Sequence, residues 1–216
     1  MVRWPSSCLT AFMYWLYAPS YSKSRSKGSD KDMANDTSEH DGCTPKDKIR
    51  FLRDLRAVRQ FLPEPVPQEV IDDILEVARW TGSSTNSQPW DLVVIRDRQM
   101  LQTISQLEGS AKYMAKAAFA IVIVMAGENK NTEPFDEGRL VERMLLAAAA
   151  HGVGAGLGWL RGTGRDEAKR LLGVPEPHNL RATISFGYLD KDAPRDRPKP
   201  EQPRKPLSQI VHLEQF

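Results

Sequence analysis

SSTNSQPW, residues 83–90, leads directly into DLVVI (91–95). Ser83, Ser84, Thr85, Asn86, Ser87 and Gln88 set uncharged hydrogen-bonding side chains in a row, and Pro89-Trp90 then opens a strand. Short polar side chains in such a loop bond to their own backbone and stabilise turns. An alternation of donors and acceptors is also what a flat, polar ligand needs along its edge. Self-capped turn and ligand lining are both open at this point, and the flanking elements have to separate them.

Upstream, Thr44-Pro45-Lys46-Asp47 offers an N-cap, a proline at the first helical position and an acid in the first turn. A helix is predicted from there to about Arg56–Arg59, with Ile49, Leu52 and Leu55 as its apolar stripe. The three prolines of FLPEPVP (61–67) stop it. QEVIDDILEVARW (68–80) forms the next helix, with Val70, Ile71, Ile74, Leu75 and Ala78 on one face. Downstream, DLVVIRD (91–97) is a strand, RQMLQTISQLE (98–108) a helix, and FAIVIVMA (119–126) a strand buried on both faces. GRLVERMLLAAAAHG (138–152) is a helix stopped by Gly152, GAGLGWL (154–160) a strand, RDEAKRLLG (165–173) a helix ending at Gly173, and LRATISFGYL (180–189) the last central strand. From Pro194 to Pro206 prolines and basic residues dominate, so that tail is extended. Alternating helices and strands give an α/β or α+β class with a layered sheet.

Bulk properties narrow the function classes. The 216 residues are 40% hydrophobic and 27% charged, which suits one soluble globular domain. With 30 basic against 28 acidic residues, no global field points to nucleic acid or to an anionic membrane. Cys8 and Cys43 both precede the core, so no disulfide framework or cysteine metal site is available to it, and a reducing, cytoplasmic setting is expected. His40, His151, His178 and His212 have no ligand spacing, so no metal is expected. The apolar run CLTAFMYWLYA (8–18) is too short to span a bilayer, and MANDTSEHDG from Met33 reads like an ordinary protein start. Residues 1–44 are therefore expected to be a disordered or spurious extension, with a targeting segment as the alternative. Residues 1–32 should be dispensable. The domain spans 45–216, and its extended tail begins near 190.

Two motifs invite a cofactor. The glycines 152, 154, 156 and 158 follow a helix and precede a strand, the reverse of a dinucleotide-binding turn, so they read as a helix stop and a strand passing close to a neighbour. Arg56 and Arg59 lie at a helix end, and Arg204-Lys205 lie in the tail. Each pair is either a solvated face or part of a phosphate site, for which guanidinium forks are well suited.

Taken in order, a helix ending in RAVRQF, then PEPVP, ARW, SSTNSQPW, an apolar strand, an Ala-rich helix, GAGLGWLRG, LLGVPE, SFGYL and PRKPL resemble the FMN-dependent nitroreductase family over residues 46–214. The resemblance implies a three-layer fold with a mixed central sheet between helices, in an intertwined homodimer whose two FMN molecules touch both chains. It implies that Ser83, Ser84, Asn86 and Gln88 bond to the flavin's ribityl chain and ring edge. Arg56 and Arg204 would grip the phosphate, with Ala57 beside the first and Lys205 beside the second. Arg59 would stand at the pyrimidine edge, where its charge stabilises the reduced ring. Leu160, Arg161 and Gly162 would present a backbone amide to flavin N5. Many relatives read Arg-Arg-Ser-x-Arg where this chain has LRAVR (55–59), so one arginine and one hydroxyl are missing.

The implied activity is electron transfer from NAD(P)H through FMN to a small electron-poor molecule such as a nitroaromatic or quinone. No side-chain acid, base or nucleophile is arranged for covalent catalysis, so the protein's task is to position and tune the cofactor. A flavin-binding sensor or carrier with little turnover is the alternative. Another is a specialised family member, deiodinase-like or dimethylbenzimidazole-synthase-like, against which ENKNTEPFDEG (128–138) is short for a substrate-ordering lid.

Overall fold

The computed structural model describes residues 43–194 and 204–216. The expectations for residues 1–42, and for the proline-rich stretch 195–203, lie outside the described residues. Nine elements follow one another: α1 (Pro45–Asp54), α2 (Gln68–Arg79), β1 (Trp90–Ile95), α3 (Arg98–Ser105), β2 (Phe119–Met125), α4 (Glu133–Ala150), β3 (Gly154–Trp159), α5 (Gly162–Leu172) and β4 (Asn179–Gly187). The strands lie in the order β1-β2-β4-β3. Every pairing among them is antiparallel, so the class is α+β and the expected mixed sheet is not found among the described residues.

β2 explains the three layers. All seven of its residues are buried. Period-two alternation sends Phe119, Ile121, Ile123 and Met125 to one face, where α2 and α4 supply Ile71, Ile74, Leu140 and Met144. Ala120, Val122 and Val124 face the other side, against Leu101 and Ile104 of α3 and Ala168 of α5. Phe119 pairs in register with Phe186 of β4, and the two rings stack with centroids 4.5 Å apart.

The end of α1 and the start of α4 differ from expectation, each for a local reason. α1 begins with the anticipated capping box at Thr44 and Asp47, yet ends at Asp54, because Arg56 folds back and donates to the carbonyls of Arg53 and Leu55 at 2.8 and 2.7 Å. No α1 residue is buried; Ile49 and Leu52 of its apolar stripe are 63% and 43% exposed. α4 starts five residues before Gly138, since the buried Glu133 carboxylate accepts from the backbone N–H groups of Gly127, Glu128 and Asn129 at 3.1, 2.7 and 2.9 Å. The segment weighed as a lid is thereby tied down as a helix start. Short helical turns at 112–116 and 207–209 were not anticipated.

The glycine run behaves as the helix stop and close-approach strand expected of it. Gly152 turns the chain with φ +70°, and a Cβ at Gly156 would overlap the carbonyl oxygen of Val58. Val58 N–H donates to the Ala155 carbonyl at 2.8 Å, so residues 55–59 leave α1 to lie along β3. Cys43 is disulfide-bonded, a departure from the free thiols of a reducing setting. No helix among the described residues is long and apolar enough to cross a membrane.

Candidate functional site

The polar loop divides its groups between its own backbone and the outside. Ser84–Asn86 forms a single 3-10 turn, and Thr85, Asn86 and Gln88 all adopt left-handed φ values of 50°, 57° and 48°. Residues of this kind tolerate that region where a surrounding structure holds them in it. Two anchors do so. The Ser83 hydroxyl accepts from Gln88 N–H at 2.8 Å, and Ser84 N–H donates to both oxygens of the Asp136 carboxylate at 3.1 and 3.2 Å. Asp136 is buried in the first turn of α4, with Arg139 3.6 Å away. Ser83 therefore caps the loop, while the exposed Asn86 side chain makes no hydrogen bond among the described residues. Just upstream, hydrogen bonds from Arg79 and then Trp80 hold the Glu76 carboxyl down to about 2 and fix the end of α2.

Two cavities flank the 55–59 segment. One, of about 910 Å³, is lined by Arg50, Arg53, Arg56, Ala57 and Arg204, with Glu142 and Leu145 of α4. The structure thus brings Arg56 and Arg204 to one cavity, although nearly the whole domain separates them in sequence. The other, of about 590 Å³, is lined by Arg59, Ser110, Lys112, Tyr113 and Asp190. Both fall within the roughly 300–1,000 Å³ of small-molecule sites. The Arg59 guanidinium sits 5.6 Å from the Tyr113 ring centroid, and its Nε is enclosed without a hydrogen-bond partner. Lys205 is exposed and lines neither cavity, nor does any residue of the loop.

Leu160, Arg161 and Gly162 run from β3 into α5 beside the smaller cavity. Leu160 is buried and bridges to Gly109, one of that cavity's walls. The N–H groups of Leu160 and Arg161 donate to the carbonyls of Arg181 and Glu108, both at 2.9 Å. Thr163 N–H donates to a Glu108 carboxylate oxygen at 3.1 Å and Gly164 N–H to the Arg161 carbonyl at 2.8 Å. Gly162 N–H, with φ +45°, has no acceptor among the described residues. Glu108, Ser110, Tyr113 and Asp136 were not legible as site residues, since each reaches the site from an unremarkable helix end or turn.

The close approach of β3 makes a direct prediction. In Gly156→Ala the new methyl meets Val58 and lies 3.1 Å from the Tyr113 ring and 3.4 Å from Arg59 Cγ. Overpacking of this kind costs about 1–3 kcal/mol, so the urea midpoint should fall while the slope stays constant. A stability equal to wild type would show that 55–59 is not seated against β3.

The fold is α+β, with two cavities beside the 55–59 segment that lies along β3, and the comparisons with known proteins agree with that fold. Residues 52–129 match the model of the nitroreductase family. A protein of Archaeoglobus fulgidus, provisionally named NADH dehydrogenase/NAD(P)H nitroreductase, is 31% identical over 149 residues, covering 65% of this chain and 84% of the relative. The chain belongs to the nitroreductase family. A shorter match, 52% identical over 45 residues, joins 21% of the chain to 20% of the chloronitrobenzene nitroreductase of Comamonas testosteroni. The solved FMN-dependent nitroreductase of Clostridium difficile R20291 superposes with a TM-score of 0.67 at 24% identity, covering 78% of this chain and 99% of that one, a likeness of fold.

Proposed function

We propose that the protein works as a homodimer in which FMN, held between the two chains, carries electrons from NAD(P)H to a nitroaromatic, quinone or similar electron-poor molecule. It is an NAD(P)H-dependent flavin oxidoreductase. FMN, when bound, would supply the redox chemistry between the nicotinamide and the acceptor, and the protein's residues would hold and orient it.

The observation that carries this reading is the wall of the smaller cavity. A partnerless, enclosed Arg59 Nε lies on it, and Gly109 of the same wall bridges to Leu160, two residues before the unpaired Gly162 amide. A fixed cation there favours negative charge on a reduced ring, and a free N–H suits a ring nitrogen. Arg56, Arg204 and Lys205 would take the phosphate, Ala57 the space beside it, and Ser83, Ser84, Asn86 and Gln88 the ribityl chain and ring edge. Among the described residues, the loop lines neither of the two cavities. Residues 204–216 are exposed throughout, with Leu207, Leu213 and Phe216 at 73%, 84% and 108%. A second copy of the chain would cover that tail and complete the site.

FMN titration into apo-protein tests the assignment. Asn86→Ala removes one neutral hydrogen bond, worth about 0.5–1.5 kcal/mol, and should weaken binding roughly two- to tenfold. Arg56→Ala should weaken it more, because a charged contact to phosphate is about twice as strong. Unchanged affinity in both variants would remove the flavin from these residues. Rapid-mixing reduction by NAD(P)H separates the enzyme from a flavin carrier, which would stay oxidised.

A further inference from the structure

The start of α5 lacks the cap its sequence should provide. Arg161 stands at the N-cap and makes no side-chain cap hydrogen bond. A helix start leaves its first amides without intrahelical partners. Here they are filled selectively, by a residue some fifty positions earlier in the chain. Glu108 uses its backbone carbonyl for Arg161 N–H at 2.9 Å and one carboxylate oxygen for Thr163 N–H and Oγ1 at 3.1 and 3.0 Å. Two glycines make room for it: a Cβ at Gly162 would overlap the carboxylate, and one at Gly164 would overlap the Glu108 carbonyl oxygen. On the other side, Arg165 Nε donates to the Leu160 carbonyl at 2.9 Å. The peptides before and after Gly162 are therefore both fixed, and its own N–H is the one left over.

We propose that Glu108 is a positioning residue for the flavin reaction: by gripping Arg161 and Thr163 it holds the Gly162 amide unpaired and directed at the cofactor edge. The proposal rests on the reading that residues 160–162 face flavin N5. An amide that must wait for a ligand is useful only if its direction is fixed beforehand, since reorganisation at the moment of reaction diminishes its contribution. Glu108 supplies that rigidity without spending the donor. Its own carboxylate does not touch the reacting atoms, so it acts through Gly162.

The test uses FMN-loaded wild type with Glu108→Ala, Glu108→Gln and Glu108→Asp. Glu108→Gln keeps an oxygen at the same reach for Thr163 N–H, whereas Glu108→Asp withdraws it and keeps the charge. In Glu108→Ala the limiting rate of flavin reduction at saturating NADPH should fall about two- to tenfold, the loss of one neutral hydrogen bond. FMN affinity should weaken by a similar factor, and the NADPH concentration for half-maximal rate should not move. Glu108→Gln should restore both values to within about twofold, and Glu108→Asp should resemble alanine, which keeps the test decisive if the alanine variant does not fold. A lowered thermal midpoint with wild-type reduction rate and FMN affinity would overturn the proposal, leaving Glu108 a structural cap. A wild-type protein that takes up no FMN would overturn the reading beneath it, and the proposal with it.

Discussion

Ending the chain after Asp192 is expected to yield a protein that loads no measurable FMN and does not form a soluble dimer. Arg204 stands at the wall of the larger cavity beside Arg56, and Lys205 follows it. Two charge-assisted contacts to a phosphate are each worth about 1.5–3 kcal/mol, so their joint loss weakens binding roughly 10²–10⁴-fold. The apolar side chains of Leu207, Ile210, Val211 and Leu213 leave with them, and any surface they cover on a second copy becomes exposed. Flavin absorbance and size-exclusion chromatography of the shortened chain read both effects. A soluble, yellow monomer would refute the role given to Arg204 and the tail together.

Glu137→Ala is expected to lower stability by about 3 kcal/mol, the largest single-residue loss argued for this chain. Glu137 lies inside the first turns of α4 at 2% exposure and is hydrogen-bonded to Arg181 of β4. The alanine leaves the arginine without its counter-charge, and breaking a buried pair costs about 3–5 kcal/mol for that reason. The lower end applies because the Arg181 side chain is 37% exposed and also lies over the Trp159 ring. Removing both partners in Glu137→Ala with Arg181→Ala should cost less than the sum of the single changes, a coupling that urea denaturation measures. Additive losses would show that the pair contributes nothing as a pair.

Much of the fold was legible because local rules and tertiary needs agree. The capping box at Thr44, the wholly apolar FAIVIVM and the left-handed Gly173 after α5 each specify an element end or type that packing then uses. The misreadings arose where a nearby side chain bonded to the backbone at a helix end. Glu133 gathers three upstream amides and starts α4 early, and Arg56 caps the carbonyls that end α1. Period and propensity carry no trace of such contacts. For the site, SSTNSQPW and PRKPL carried the resemblance to the family, and the apposition of Arg56 with Arg204 followed from the fold. That the loop hangs from Asp136, and that Glu108 closes over Gly162, follow from strand order and helix placement, which residue types alone do not encode.

The central position of β2 also governs how the chain must be made. Its neighbours are β1, 24 residues earlier from Ile95 to Phe119, and β4, which begins only at Asn179. During synthesis at about 5–20 residues per second, the β2 edge that awaits β4 is therefore bare for several seconds, with an apolar strand on display. The β2–β4 ladder is a late, non-local closure, the kind of step that slows folding. A nascent chain halted in α4 would present that edge to any neighbouring strand, and the interval between the two halves of the sheet is when a holding chaperone has most to do.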